Sequence, residues 1–303
     1  MGSFAAFIVT FERADLLPAT IQKLLEQTIV PEKILVIDNS ESSNTSDLIK
    51  SMDDTRIQYH RMGYNAGPAG GAWTGLQMLV NDGFEWIFWG DDNDPPRTST
   101  TFQEIFNVLN SSQIENNQIG IIGAMGSKFN RWSFATMKIP NTELKPITPV
   151  DCVPGGGMII VHSPVVVDGI LPDPDLFFGF EELDFCLRVG KKFQIFVNGE
   201  LFLKFRKAAG KDGMTGGVIT GFLKKTKRGR TFSREYYSLR NLIYISLFKS
   251  RSLTGFFMVM ARATLKLLTL LLFKPRAGYN YSKIYFAAVA HGIFRKMGKK
   301  MSL

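Results

Sequence analysis

Trp86-Ile-Phe-Trp-Gly-Asp91-Asp92-Asn93-Asp94-Pro95-Pro96 joins an apolar run to three carboxylates and an amide, then to two prolines. The apolar half has the composition of a buried strand, and the prolines forbid helix continuation after it. Carboxylates set side by side repel one another and resist ionisation, so packing alone gives no reason to place them there. A hard cation such as Mg²⁺ or Mn²⁺ removes the conflict, because it takes oxygen ligands, commonly one or two carboxylates together with substrate phosphates. Open α/β sheets bind their ligands at the carboxyl ends of strands, which is where this cluster falls. An acidic surface turn is the competing reading, since Asp-Pro is ordinary turn chemistry. The other segments must decide between them.

Upstream of this stretch, Phe4–Thr10 reads as a first buried strand, and Ala14–Gln27 as a helix, with Leu16, Leu17, Ile21, Leu24 and Leu25 at helical spacing. Lys33–Asp38 is a second strand ending in an acid, followed by a polar loop over Asn39–Ser46, and Arg56–His60 is a third strand. The glycine-rich Asn65-Ala-Gly-Pro-Ala-Gly-Gly71 opens a helix over Ala69–Asn81, and the strand Glu85–Gly90 delivers the acidic cluster. Downstream, Ile119–Gly126, Gly157–His162 and Gln194–Val197 read as further strands. Pro154-Gly-Gly-Gly157 and the acidic Phe177-Phe-Gly-Phe-Glu181-Glu182-Leu-Asp184-Phe-Cys-Leu-Arg188 lie between them. Alternating strands and helices with short connections predict an α/β fold with a mostly parallel sheet.

Charge divides the 303 residues sharply. Residues 1–200 hold 14 Lys/Arg against 25 Asp/Glu, whereas residues 201–303 hold 22 against 2. Such asymmetry points to a partner surface of opposite sign, nucleic acid or anionic lipid. The expected organisation is a catalytic domain over 1–207 and a basic helical region over 208–303. The latter comprises a Gly/Lys loop (Ala208–Arg230), a helix over Phe232–Leu247 and the apolar Leu253–Phe273. This last segment is long enough to span a membrane, but Arg262 and Lys266 fall near its middle. Arg251, Gly255, Arg262, Lys266 and Thr269 share one helical face, which predicts an amphipathic helix in the membrane interface. A helix covering the core of the main domain is the alternative. Two cysteines, Cys152 and Cys186, have no metal-ligand spacing and fit core packing in a reducing compartment. The N-terminus lacks a basic n-region and is not read as a signal peptide.

Four segments together resemble a family-2 glycosyltransferase of the GT-A fold, in its bacterial galactofuranosyl- and rhamnosyltransferase-like branch. They are Val9-Thr10-Phe11-Glu12-Arg13 with Gln27-Thr28; Val36-Ile37-Asp38-Asn39-Ser40; Asn65-x-Gly67-x-Ala69-Gly70-Gly71 leading to Asp91–Asp94; and Glu181-Glu182-x-Asp184 with Arg188. Tyr236-Tyr237-x-x-Arg240-Asn241 and the segment around His291 are also similar to C-terminal features of this branch. The resemblance implies that Thr10, Phe11, Arg13, Asp38, Asn39, Asn65, Gly70, Gly71 and Asp91 bind a UDP- or dTDP-sugar. It implies that Asp91, Asp92 and Asp94 carry Mg²⁺ or Mn²⁺, in the register Asp91-x-Asn93 or Asp92-x-Asp94. Glu182 is the implied base, with Glu181 and Asp184 beside it. Relatives usually place a histidine ligand shortly after this segment. Here Asn198–Arg206 has none, and Lys204 or Arg206 stands near that place as a possible pyrophosphate contact. Trp73, Trp132, Phe177 and Phe178 are candidates for stacking on sugars.

The implied activity is inverting transfer of galactofuranose, or secondly rhamnose, to a lipid-linked or polysaccharide acceptor in bacterial surface polysaccharide synthesis. The expected location is the cytoplasmic face of an anionic membrane. Three rivals stand beside this reading. A nucleic-acid-binding protein is disfavoured because the basic residues are interleaved with long aliphatic runs and no recognisable module is present. A nucleotidyltransferase on the same fold is told apart by release of pyrophosphate. A catalytically silent glycan-binding relative is kept open by the missing histidine.

Overall fold

The computed structural model describes residues 2–111, 115, 118–211, 213–214, 217–218 and 232–300. Among these, eight strands form one mixed sheet in the order β3-β2-β1-β4-β9-β5-β10-β8. The strands are β1 (Phe4–Thr10), β2 (Lys33–Asp38), β3 (Ile57–Arg61), β4 (Trp86–Asp91), β5 (Ile119–Gly123), β8 (Thr148–Pro149), β9 (Ile159–His162) and β10 (Gln194–Val197). The first four pair in parallel, while β9 runs antiparallel to both β4 and β5. A smaller antiparallel sheet joins β6 (Lys128–Asn130), β7 (Ala135–Lys138) and β11 (Gly217–Val218).

Period-two alternation sorts the central strands onto two cores. Ala5, Phe7, Val9, Ile87 and Trp89 face one way, packing with α3 (Gly67–Asn81) and α6 (Glu181–Val189). Phe4, Ala6, Ile8, Trp86 and Phe88 face the other, against α1 (Leu17–Leu25), α4 (Thr101–Ser111) and α7 (Gly199–Ala208). Both faces are covered, which is why these strands read as unbroken apolar runs with no alternation. Two short helices, α2 (Asn44–Ser51) and α5 (Ser163–Val167), complete the layers. The helices α2, α4, α6 and α7 go beyond the sequence reading, and α2 shortens the loop predicted over Asn39–Ser46. The predicted Ala14–Gln27 helix is trimmed to α1, whose N-cap is Leu16. Most of the predicted loop over Ala208–Arg230 lies outside the described residues.

A third core joins α8 (Phe232–Tyr244), α9 (Leu253–Phe273) and α10 (Pro275–Ile293) to Ala69, Phe134, Leu176 and Phe177. The predicted Phe232–Leu247 helix thus ends as α8 at Tyr244 and runs on as a π-helical turn over Ile245–Lys249. The amphipathic expectation for Leu253–Phe273 is corrected in its orientation. The two charges near its middle do not look to water: Arg262 donates to the carbonyls of Ser133 and Phe134, and Lys266 to Glu235. Gly255, Val259, Ala263 and Leu267 are buried on the same side.

The third core also holds the turn that leads into α6. Phe177 (φ 59°) and Phe180 (φ 70°) sit in the left-handed region, which costs a bulky side chain energy unless neighbours hold it. Asn241, fully buried, donates to the carbonyls of Leu176 (2.9 Å), Phe178 (3.0 Å) and Gly179 (2.7 Å). Arg240, also buried, donates to the carbonyls of Leu176 and Gly298 and to the Asn241 amide oxygen. Replacing Asn241 by Leu strips donors from buried carbonyls and should cost about 2–4 kcal/mol of stability. Chemical denaturation checks this, and a loss under about 1 kcal/mol would mean that the turn holds itself.

Candidate functional site

The ends of β1, β2 and β4 lie level, Thr10 opposite Asp38 and Val9 opposite Asp91. Asp91 closes β4 and faces the first turn of α6 across the turn Gly155–Gly157. The Glu182 carboxylate accepts the Gly155 backbone N–H at 3.2 Å. A Cβ added at Gly155 would stand 2.9 Å from Glu182 Oε1 and 3.6 Å from Asp91 Oδ2. One at Gly156 would meet Asp94 Oδ2 at 2.6 Å. The two glycines therefore form a thin wall that lets acids from three segments converge. The sequence reading quoted Pro154-Gly-Gly-Gly157 but gave it no role; three successive glycines ahead of a strand were the available signal.

Electrostatics in this cluster are unfavourable to charge. Burial, followed by the carboxylates of Glu182, Asp92 and Asp94, raises the Asp91 pKa from 3.8 to about 7. Burial also raises Asp94, against the pull of Arg97, and raises Glu182 against two backbone hydrogen bonds. Glu181 is pushed well up by burial and then by Glu182, and its Oε2 is buried with no hydrogen-bond partner. Of the pair, Glu182 is the less buried, whereas Glu181 is only 5% exposed. Glu182 is therefore the more accessible of the two, with Glu181 behind it.

The structure separates several predicted residues from the cluster. Asp92 turns back towards β1: it accepts from Thr10 Oγ1 at 3.0 Å and from Arg13 at 3.1 Å, so it fastens the β1–α1 loop and is not a free metal ligand. The buried Asp184 carboxylate is taken up by Arg188, one turn further along α6, at 2.8 Å. Lys204 pairs with Glu104 on α4, and Arg206 is buried on the Ile139 carbonyl and the Asn141 amide oxygen. Both cations are committed elsewhere, which corrects the expectation of pyrophosphate contacts.

The predicted nucleotide side is built of loops that hold each other. Asp38 is fully buried, accepting from the Ser40 N–H and the Tyr59 hydroxyl at 2.9 Å each. Asn39 accepts from the Ala66 N–H and donates to the Gly67 carbonyl, tying β2 to the start of α3. Asn65 accepts from the Gly67 N–H. Gly67 has φ +71°, and a Cβ there would strike the Phe177 carbonyl at 2.2 Å. Gly70 and Gly71 are packing glycines, the latter against Val9. Glu12 adopts φ 52°, held by its bonds to the Ser42 hydroxyl and the backbone of Glu41 and Ser42. Phe11 (37% exposed) and the half-exposed Arg13 remain at the mouth of the cleft.

Among the sugar-stacking candidates, Phe177 is buried against Tyr237 and is a core residue. Trp73 and Trp132 are exposed, while Phe178 packs under Arg234. His60, His162 and His291 stay outside the cluster: His162 stacks on Trp86 at 4.2 Å, and His291 bonds the Tyr236 hydroxyl. Among the described residues, no three or more His, Cys, Asp or Glu side chains are yet drawn together around one point as a metal cage.

Residues 5–145 match the model for glycosyl transferase family 2. The galactofuranosyltransferase GlfT1 of Mycolicibacterium smegmatis is 24% identical over 111 residues, covering 36% of this chain and 36% of that protein. The match thus spans about a third of the curated relative's length. The solved structure of the mannosyltransferase PcManGT from Pyrobaculum calidifontis, in complex with GDP-Man and Mn²⁺, superposes with a TM-score of 0.53 at 10% identity. It covers 97% of this chain and 88% of that one, which speaks for the fold alone. Residues 1–349 of S. aureus TarS superpose more loosely, with a TM-score of 0.48 at 13% identity over 97% of this chain and 91% of that one. The family 2 match thus falls on residues 5–145, the part of the chain that holds β1 to β4 and the acids at the end of β4.

Proposed function

We propose that the protein is an inverting glycosyltransferase that moves a sugar from a UDP- or dTDP-sugar to a glycan acceptor in bacterial surface polysaccharide synthesis. The observation that carries this reading is Glu182 facing Asp91 across the glycine wall of Gly155 and Gly156. Galactofuranose is the first choice of sugar, supported by the likeness to GlfT1, and rhamnose the second.

In the transfer, the acceptor hydroxyl gives its proton to the Glu182 carboxylate. Its oxygen forms a bond to the anomeric carbon from the face opposite the leaving group, and the bond to the nucleoside diphosphate breaks with its electron pair. A base whose pKa is raised by burial holds the proton more strongly once it has accepted it. Activity accordingly rises with pH as Glu182 sheds its proton in the free enzyme.

The donor set fits a divalent cation. Asp91 and Asp94 offer hard oxygen ligands, and the Asp91 pKa is raised first by burial and then by neighbouring carboxylates, which a bound cation would offset. Mg²⁺ or Mn²⁺ held there would supply charge neutralisation for the departing diphosphate. The orphaned Glu181 oxygen adds a further acceptor beside the same space.

The raised Asp91 pKa fixes a sign. Between its ordinary 3.8 and about 7 the folded protein keeps a proton that the unfolded chain has lost, so stability from this group falls as pH rises through that window. Asp91→Asn should therefore gain on the wild type as pH rises from acid to neutral, by a few °C in Tm. The same variant should lose any Mn²⁺-induced rise in Tm. A constant gap across pH with an undiminished Mn²⁺ response would sink the metal assignment. For catalysis, Glu182→Gln should lower transfer about 10²–10⁴-fold while a thermal shift with UDP- or dTDP-sugar persists. Full activity in that variant, or pyrophosphate in place of nucleoside diphosphate as product, would overturn the proposed reaction.

A further inference from the structure

The polarity of α9 is inverted relative to a soluble surface helix. Arg262 and Lys266, the two charges near its centre, are bonded to the body of the protein, and Thr264 bonds the Tyr285 hydroxyl on α10. Outward lie Phe257, Leu265, Leu268, Leu272 and Phe273, each at least half exposed. From residue 257 to 273, Thr269 is the one exposed position that is polar, and its hydroxyl is satisfied by the Leu265 carbonyl in its own helix. On α10, Phe286 is 64% exposed. A continuous apolar surface of this kind marks an interaction site.

Charge identifies the occupant. No Asp or Glu follows Glu235 in the sequence, whereas exposed Lys274, Arg276, Lys283, Lys296, Lys299 and Lys300 lie on or beside α10. A second copy of the chain would bring cations against cations. Anionic lipid headgroups meet the cations while acyl chains take up the apolar side chains. By length and composition α9 could cross a bilayer. Its buried face and its bonds to Ser133, Phe134 and Glu235 keep one side on the folded body, which cannot enter hydrocarbon.

We infer that the α9–α10 hairpin is a monotopic insertion face, with α9 lying in the plane of an anionic membrane and its apolar side sunk below the headgroups. α8 packs against both helices and carries the Arg240–Asn241 clamp on the turn before Glu181. The insertion face is thus one helix removed from the catalytic turn, a placement suited to a lipid-linked acceptor. The face itself stands on exposure and charge and does not depend on the transferase reading.

Flotation of the full chain with vesicles tests this without reading catalysis. Binding to vesicles of phosphatidylcholine with phosphatidylglycerol should exceed binding to phosphatidylcholine alone by about tenfold and weaken in high salt. The double variant Leu268→Glu/Leu272→Glu changes two exposed side chains and should keep the wild-type Tm while losing flotation about tenfold or more. Three results would overturn the inference. The wild type may fail to float with anionic vesicles, or the double variant may float equally well. Lipid-free protein may instead be a dimer that the double variant dissolves.

Discussion

Repulsion between Asp91 and the Glu181–Glu182 pair is the constraint around which the cleft is arranged. Two stretches far apart in sequence bring acids to one place: the end of β4 with the loop after it, and the first turn of α6. Such a gathering persists only if the surroundings hold it. Here they do so through hydrogen bonds: the Gly155 N–H on Glu182, the bonds of Thr10 and Arg13 to Asp92, and the side-chain amide of Asn241 on the turn before α6. Those contacts hold the acids in place against burial and mutual repulsion, which together raise their pKa values. Residues held in unfavourable states at a site are expected where function requires them.

Much of the sheet was legible from composition because these strands are buried on both faces. Phe4–Thr10, Lys33–Asp38 and Gln194–Val197 carry no competing periodicity, and they appear with the bounds read from the sequence. Short amphipathic helices were harder to see. α2 begins inside a run of Ser, Asn and Thr that reads as loop, and α7 follows Asn198, whose side chain caps the Leu201 N–H, a signal visible only once the strand end is fixed. The antiparallel direction of β9 leaves no trace in its own composition, because Ile-Ile-Val is equally suited to either pairing.

The site was legible as a set of residue types and not as a set of directions. Asp91, Asp92 and Asp94 are adjacent in sequence, but successive strand-end side chains point to opposite sides, and Asp92 is spent on Thr10 and Arg13. Asp184 lies one turn after Glu181 and across the helix from Glu182, and its carboxylate is taken up by Arg188. Glu12 shows the same limit in backbone form. A left-handed position favours Asn or Gly, and glutamate holds it only through bonds to the β2–α2 loop that sequence spacing does not reveal. For α9, hydropathy identified an amphipathic helix, but which face met the protein depended on Ser133, Phe134 and Glu235.

Gly298 closes a further connection. Its carbonyl accepts from Arg240, its N–H donates to the Asp175 carbonyl, and the Lys300 N–H reaches the Tyr237 hydroxyl. The segment 298–300 thus stitches the turn ahead of α6 to residues made more than a hundred positions later. During synthesis the ribosome releases the sheet first, and domains fold in that order as they emerge. The helix α6 then waits, with its entry turn untied, until residues 298–300 have left the exit tunnel. By that time α9 and α10 have already emerged, so the apolar face they carry is formed before the turn ahead of α6 is tied down.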